Sequence, residues 1–261
     1  MKTMEFYKYH GCGNDFIIIS EQQALEFIQA GIFETRIAEI CDRHFGVGAD
    51  GLIFSQKIGE QYKMHYYNSD GSSAYMCGNG MRAFRQYLAD VFLDTSPKLT
   101  ILTSQSAVEV CFKVSGEIDV NLGAKPDIHI CEIEGNTYYQ TYTMTDHLVR
   151  IDQNIPENWA EIGASIEKNS LFPKGTNVNF MSEKQKGIVE MQTWERGAGI
   201  TLACGTGAVA VAHIYFKFIA PACVEVKLLV AGGILYVRLI GEQLHLIGEA
   251  SQICKGTFNL K

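Results

Sequence analysis

Ala203-Cys204-Gly205-Thr206-Gly207-Ala208-Val209-Ala210 decides how the rest of the chain is read, because Met76-Cys77-Gly78-Asn79-Gly80-Met81-Arg82-Ala83 repeats its pattern. Both segments read Cys-Gly-x-Gly-x-x-Ala, and their cysteines lie about half a chain apart in 261 residues. Self-similarity at that spacing indicates an internal duplication, with one cysteine in each half. Each copy leads into a helical pattern. Met81 to Phe92 carries Phe84, Tyr87, Leu88 and Phe92 at helical spacing, and the run from about 206 to 217 is almost wholly apolar. The second pattern predicts a helix at the centre of its domain. Both cysteines then stand at a helix N-terminus, where free N–H groups and the macrodipole favour a thiolate.

The remaining composition narrows the function classes. At 47% hydrophobic the chain can bury a large core, and the duplication favours two domains, one giving way to the other near residue 120. A net charge of −7, without a Lys/Arg-rich block, supplies no attraction for nucleic acid or anionic membranes. The eight cysteines are dispersed, with no Cys-x-x-Cys pair and no zinc-like Cys/His spacing, so neither a metal site nor a disulfide framework is expected. Reduced thiols and an N-terminus without a signal-peptide pattern point to a cytoplasmic protein. The apolar window 207–223 contains His213 and Lys217 and reads as a buried helix rather than a membrane span.

Taken in order, residues 4–10 and 16–19 predict a bent strand pair around the turn Gly11-Cys12-Gly13-Asn14-Asp15. Asn14 and Asp15 fit either turn formation or binding. Helices are expected at 21–30 and 33–44, the second closed by Gly46. A strand at 62–67 delivers the polar loop 68–73, and its His65 reads as a structural histidine. Period-two patterning runs from 98 to 152, a helix is expected at 156–167, and Thr176 to Met181 reads as a strand whose asparagines face two ways. The strand 187–194 ends at Glu195-Arg196-Gly197-Ala198-Gly199, and four strands between 222 and 259 finish the chain.

Three readings of the repeated motif compete. Gly-x-Gly-x-x-Ala satisfies the relaxed dinucleotide-binding fingerprint, but the first copy follows a polar loop where that fingerprint needs an apolar strand. Two buried structural cysteines beside capping glycines are the plain alternative. Duplication favours the third reading, thiol chemistry, since it sets two cysteines in equivalent positions. No nucleophile elbow, zinc-protease motif or Walker loop competes with it.

Six blocks carry a resemblance. Gly11-Cys12-Gly13-Asn14-Asp15-Phe16, Arg43 to Gly51, Asn68 to Ser72, Cys77 to Gly80, Glu195 to Gly199 and Ala203 to Gly207 occur in the order in which they occur in the diaminopimelate epimerases, from end to end. The chain resembles that family. The resemblance implies an α+β fold of two pseudo-symmetric domains, each a curved, mostly antiparallel sheet around a central helix, with the active site in the cleft between them. The expected halves are 1–120, with Cys77 and joined by the last strand 250–261, and 121–249, with Cys204. It further implies an isomerase of lysine and peptidoglycan-precursor synthesis, without a cofactor, usually a homodimer, converting LL- to meso-diaminopimelate.

Inverting an α-carbon requires an acid/base group on each face, one deprotonated and one protonated, and two thiols meet that need. Cys77 and Cys204 are the expected catalytic pair. Gly78, Asn79, Gly205 and Thr206, at the two helix ends, are candidates to stabilise the enolate-like α-carboxylate. By resemblance, Asn68, Asn177, Glu195 and Arg196 grip the far end of the substrate, with Asn14 in the lining. The chain departs from the family at Thr145-Asp146-His147, where an asparagine or small residue followed by Pro-His is usual. Gly51 is a second lining position, where relatives often carry a larger polar residue. These departures leave the substrate open to another amino acid such as histidine, handled by the same chemistry, or to a silent amino-acid-binding homologue.

Overall fold

The computed structural model describes residues 2–260, and the chain divides into two compact units: 1–120 with 249–261, and 121–248. The first opens with antiparallel strands Lys2–Gly11 and Asn14–Ser20, paired from Tyr7 with Ile18 to Gly11 with Asn14. Ser20 then starts helix α1 (Glu21–Gln29) with a capping box, its hydroxyl accepting from the Gln23 amide while the Gln23 side chain returns to the Ser20 amide. Helix α2 (Phe33–Cys41) follows, and the chain re-enters the sheet as Gly51–Ile58, parallel to Asn14–Ser20.

The second helix ends earlier than its sequence pattern predicts. Asp42 takes an extended conformation, and its carboxylate accepts from the amides of His44 and Phe45, so Arg43 to Gly46 form a turn. Gly46 is still required there, because a Cβ would lie 2.2 Å from the Glu39 carbonyl oxygen.

Strand Gln61–Asn68 returns antiparallel, a short bridge at Ser73–Ala74 follows, and helix α3 (Gly78–Phe92) leads to Lys98–Leu102, parallel to Gln61–Asn68. Strands Ala107–Phe112 and Ile118–Ala124 continue the sheet. The final strand, Ser251–Leu260, runs antiparallel along Lys2–Gly11. The unbroken apolar run Phe16-Ile17-Ile18-Ile19 is explained by burial on both faces of the sheet. Ile17, Ile19, Leu52 and Phe54 pack against Ala24, Phe27, Ile37 and Ile40 of α1 and α2. Phe16 and Ile53 reach Gly80 of α3 on the other side.

The second unit repeats this order. A hairpin, Asn136–Tyr142 with Asp146–Ile151, precedes helix α4 (Trp159–Glu167), and Asn177–Gln185 re-enters parallel to Asp146–Ile151. Ile188–Glu195 returns antiparallel, and a short strand at Gly199–Ile200 precedes helix α5 (Gly205–Ile214). Glu225–Val230 then pairs parallel with Ile188–Glu195. Gly233–Ile240 and Gln243–Gly248 complete an antiparallel meander, while Ile128–Ile133 extends the opposite edge. Trp159, Ile162 and Ile166 of α4 cover one face through Phe180, Val178 and Leu148. Helix α5 is buried almost throughout and continues as a single π turn at Tyr215–Ile219. Helix α4 begins at Trp159, later than the expected 156, because Pro156 lies in the preceding turn. The α+β class, mostly antiparallel sheets and two central helices match the sequence reading, and no helix among the described residues is long and apolar enough to cross a membrane.

Candidate active site

Each copy of the repeated motif forms the same local structure. Cys77 and Cys204 are the N-cap residues of α3 and α5, with extended backbones, and each sulfur accepts an N–H from the glycine three residues on, Gly80 or Gly207, at 3.4 Å. A cysteine here does what serine or aspartate does at ordinary caps. The glycines are needed for contact with the sulfur: a Cβ on Gly207 would lie 2.4 Å from Asn179 Oδ1 and 3.2 Å from Cys204 Sγ, and one on Gly80 would lie 3.3 Å from Cys77 Cβ.

In the first unit the turn at Gly11 to Asn14 brings Asn14 to Cys77. Cys12 and Gly13 both have positive φ, at 53° and 82°. The Cys77 thiol donates to Asn14 Oδ1 at 3.7 Å, and Asn79 Nδ2 donates to the same oxygen at 3.2 Å. Asn14 Nδ2 in turn donates to Asp50 Oδ2 at 2.7 Å, which fixes the orientation of the amide. Asp50 belongs to a charged cluster: Arg43 spans Asp50 and Asp15, and Lys8 also pairs with Asp15. Burial opposes ionisation of Asp15, but hydrogen bonds from Arg43 and Lys8 hold its carboxyl below the usual range. This cluster ties strands Lys2–Gly11 and Asn14–Ser20 to the loop before Gly51–Ile58.

Asn68 pairs across the sheet with Gly51, and its side chain is held by Tyr66 and Ser72. A side chain on Gly51 would meet Tyr67 O at 2.6 Å and the Tyr66 ring at 2.7 Å, so Tyr66 occupies the space a larger residue would need. His65 stacks on Phe54 and bonds to Gln56, in keeping with a structural role.

In the second unit a polar chain leads from the sulfur into the strand ends. Cys204 Sγ lies 3.5 Å from Thr206 Oγ1, which lies 3.0 Å from His147 Nε2, and Thr145 Oγ1 meets the same nitrogen at 3.0 Å. Asn177 Nδ2 donates to Thr145 Oγ1 and to the Asp146 carbonyl, while Asn177 Oδ1 accepts from the Arg196 amide. Asn177 and Asn179 face the same way, not two ways as the sequence reading had it, because alternate strand residues share a face. Asn179 Nδ2 donates to the Leu148 carbonyl and to His147 Nδ1, and Thr193 holds Asn179 Oδ1. That arrangement makes Nδ1 an acceptor and assigns the proton to Nε2, facing the two threonines. Burial, followed by the Arg196 charge, pushes the His147 pKa down to about 3, so the ring is neutral at physiological pH.

The remaining predicted residues lie nearby within their units. Glu195 accepts from the Thr201 hydroxyl, and Arg196 reaches the Lys174 carbonyl. Gly78 and Gly205 are the first helical residues after the two cysteines. The first unit thus gathers Asn14, Gly78 and Asn79 at Cys77, with Asn68 and Gly51 paired on adjacent strands. The second gathers Thr145, His147, Asn177, Arg196, Gly205 and Thr206 at Cys204. Sequence reasoning did not find Asp50 and Asn179. Asn179 was within reach from its two-residue spacing to Asn177, whereas the Asp50 contact depends on a turn conformation that spacing does not reveal. Burial pushes the Cys41 thiol up to about 12 and also raises those of Cys111 and Cys131. Among the described residues no cluster of His, Cys, Asp and Glu could hold a metal ion.

Residues 6–126 and 142–252 match the family model described as diaminopimelate epimerase. The diaminopimelate epimerase of Clostridium perfringens is 37% identical over 98% of this chain and 99% of its own length. That of Natranaerobius thermophilus is 35% identical over 98% of both chains. Among solved structures, a PhzF-family phenazine biosynthesis protein from Enterococcus faecalis has a TM-score of 0.76 at 13% identity, covering 99% of this chain and 100% of that one. A hydroxyproline epimerase from Agrobacterium vitis has a TM-score of 0.71 at 13% identity, covering 99% and 91%. Those two likenesses concern the fold alone. With the family model matching most of its length and relatives above 30% identity spanning nearly all of it, the chain belongs to the diaminopimelate epimerase family.

Proposed function

We propose that this protein is an amino-acid epimerase that interconverts LL- and meso-diaminopimelate in lysine and peptidoglycan-precursor synthesis, with Cys77 and Cys204 as its two acid/base groups. The observation that carries this reading is the equivalence of the two helix ends, where each sulfur caps a buried helix and accepts an N–H from the third residue on. One thiolate removes the α-proton and becomes a thiol, while the other thiol gives its proton to the opposite face and becomes a thiolate. The enzyme leaves each turnover in the opposite protonation state. The reading assigns to the amides and side chains at Gly78, Asn79, Gly205 and Thr206 the stabilisation of the charge that develops on the α-carboxylate. Arg196 suits the distal carboxylate and Glu195 the distal ammonium, with Asn14, Asn68 and Asn177 supplying neutral contacts. The chemistry is assigned to these side chains, without a cofactor, and a homodimer in the cytoplasm accompanies the reading. Mass measurement in solution checks the oligomeric state.

The deciding experiment incubates the protein in deuterated water with LL-diaminopimelate and, separately, with single L-amino acids. α-Deuterium incorporation and inversion with diaminopimelate are expected, both abolished in Cys77→Ala and in Cys204→Ala. Exchange confined to another amino acid, histidine included, would replace the substrate assignment. No exchange with any of them would leave an amino-acid-binding homologue.

A further inference from the structure

Two asparagines beside Cys77 have their side-chain amides joined in series, and the hydrogen-bond chain they form runs one way. Arg82, fully buried in α3, donates from Nη2 to Asn79 Oδ1 at 2.9 Å and also bonds the Cys12 sulfur. Asn79 Nδ2 donates to Asn14 Oδ1 at 3.2 Å, and Asn14 Nδ2 donates to Asp50 Oδ2 at 2.7 Å. A guanidinium has only donors and an ionised carboxylate only acceptors, so neither end of the chain can be reversed. Turning the Asn14 amide over would set its oxygen against the Asp50 carboxylate and its N–H groups against those of Asn79. Between partners that both give and accept, an amide would have no such preference.

Asp50 is solvent-exposed, yet both of its oxygens are held. Oδ1 accepts from Arg43 Nη2 at 2.7 Å, Oδ2 also accepts the Asp15 amide at 3.1 Å, and the Asp50 amide returns to Asp15 Oδ1 at 3.1 Å. Arg43 meets the Asp15 carboxylate with both terminal nitrogens, which fixes its own orientation. What this arrangement presents to Cys77 is a carbonyl oxygen. The thiol donates to Asn14 Oδ1 at 3.7 Å, while the sulfur accepts the Gly80 amide at 3.4 Å. An acceptor at a cysteine favours the thiol and a donor favours the thiolate. A group that is base in one direction of a reaction and acid in the other needs both.

We propose, resting on the two-thiol reading above, that Asp50 is a positioning residue for Cys77: it anchors the Asn14 amide so that its oxygen faces the sulfur and holds the protonated one of the two states each turnover needs. Asp50 acts through Asn14, and Asn79 with Arg82 fixes the other end of the same amide. The other titratable groups around this loop are Lys8, His10, whose Nδ1 accepts the Gly13 amide, Cys12, Asp15 and Arg43. Asn14 is neutral, so replacing it leaves all of these charges in place and removes the acceptor.

Full-length protein is labelled with iodoacetamide across a pH series, and the labelling midpoint of each cysteine is read by peptide mass spectrometry. Asn14→Ala should lower the Cys77 midpoint by about half to one pH unit, so that labelling below the midpoint speeds up about three- to tenfold. Asp50→Ala should lower it in the same direction, and in the Asn14→Ala background it should add nothing, because its route runs through that amide. Shifts that sum in the double variant would mean that the Asp50 charge acts on Cys77 directly, and would overturn the positioning role. An unmoved Cys77 midpoint in Asp50→Ala, a shift at Cys12 in place of Cys77, or a raised substrate KM with an unmoved midpoint would each overturn it as well. If Asp50→Ala does not fold, Asp50→Ser is measured against the same expectations, and an unmoved midpoint in Asn14→Ala overturns the proposal by itself. The labelling needs no substrate. Absent α-deuterium exchange with these shifts present removes the epimerase reading alone, whereas normal exchange with unmoved midpoints removes this proposal alone.

Discussion

His147 is the residue where burial and hydrogen bonding set the chemistry most tightly. Its folded pKa of about 3 lies below the ordinary value of 6.5, so between those values the unfolded chain binds a proton that the folded one refuses. Its contribution to stability is full above about pH 6.5 and is lost as the pH falls, at about 1.4 kcal/mol per pH unit through the middle of that window. Urea unfolding between pH 7 and pH 4.5 should show this loss, and His147→Gln should flatten it while lowering stability at neutral pH. Equal slopes in both proteins would place the acid sensitivity elsewhere. The neighbouring hydroxyl links this ring to the sulfur. Because Nε2 carries the proton, Thr206 accepts from the ring and can direct its own hydrogen to Cys204. Thr206→Val preserves shape and removes that hydrogen bond, worth about 1–1.5 kcal/mol, so kcat should fall about tenfold with little change in thermal midpoint. The cysteines were legible in the sequence because duplication marks them. The polarity of the Thr206–His147–Asn179 chain was not, since it depends on which amide end faces which ring nitrogen.

At the level of elements, the two capped helices were legible because glycine spacing and the apolar runs agree. Strand boundaries were legible to within a few residues, whereas the end of α2 was misplaced because an Asp42 turn replaced the expected glycine cap. The departure at Thr145 also becomes concrete: its hydroxyl is engaged by Asn177 and His147, so the position works as part of the strand-end network. The two motif glycines are not equally tolerant. On Gly207 a Cβ meets Asn179 Oδ1 at 2.4 Å, an atom pinned by Thr193, while on Gly80 the nearest atoms lie at 3.3–3.4 Å. Gly207→Ala should therefore cost about 1–3 kcal/mol and reduce kcat, and Gly80→Ala should cost less in both. Denaturant midpoints with parallel activity measurements check the ordering, and a reversed order would show that the Asn179 network is not rigid.

Across the whole molecule, the first unit is discontinuous in sequence while the second is one uninterrupted segment. Strand Ser251–Leu260 pairs along Lys2–Gly11, packs Phe258 against the α1–α2 core and sets Gly256 against Phe6. Closing a unit whose ends are so far apart carries a large loop entropy, so the first unit depends on a strand made last. Both tryptophans, Trp159 and Trp194, belong to the second unit and give it a private optical signal. Removing residues 249–261 strips one side of Lys2–Gly11 of its hydrogen-bonded neighbour. Amide exchange in Lys2–Gly11 and Asn14–Ser20 should then accelerate by orders of magnitude, while tryptophan emission and protection in Asn177–Gln185 and Ile188–Glu195 stay near those of the full chain. Loss of protection in both units together, with a red shift in emission, would mean that the second unit draws its stability from the first.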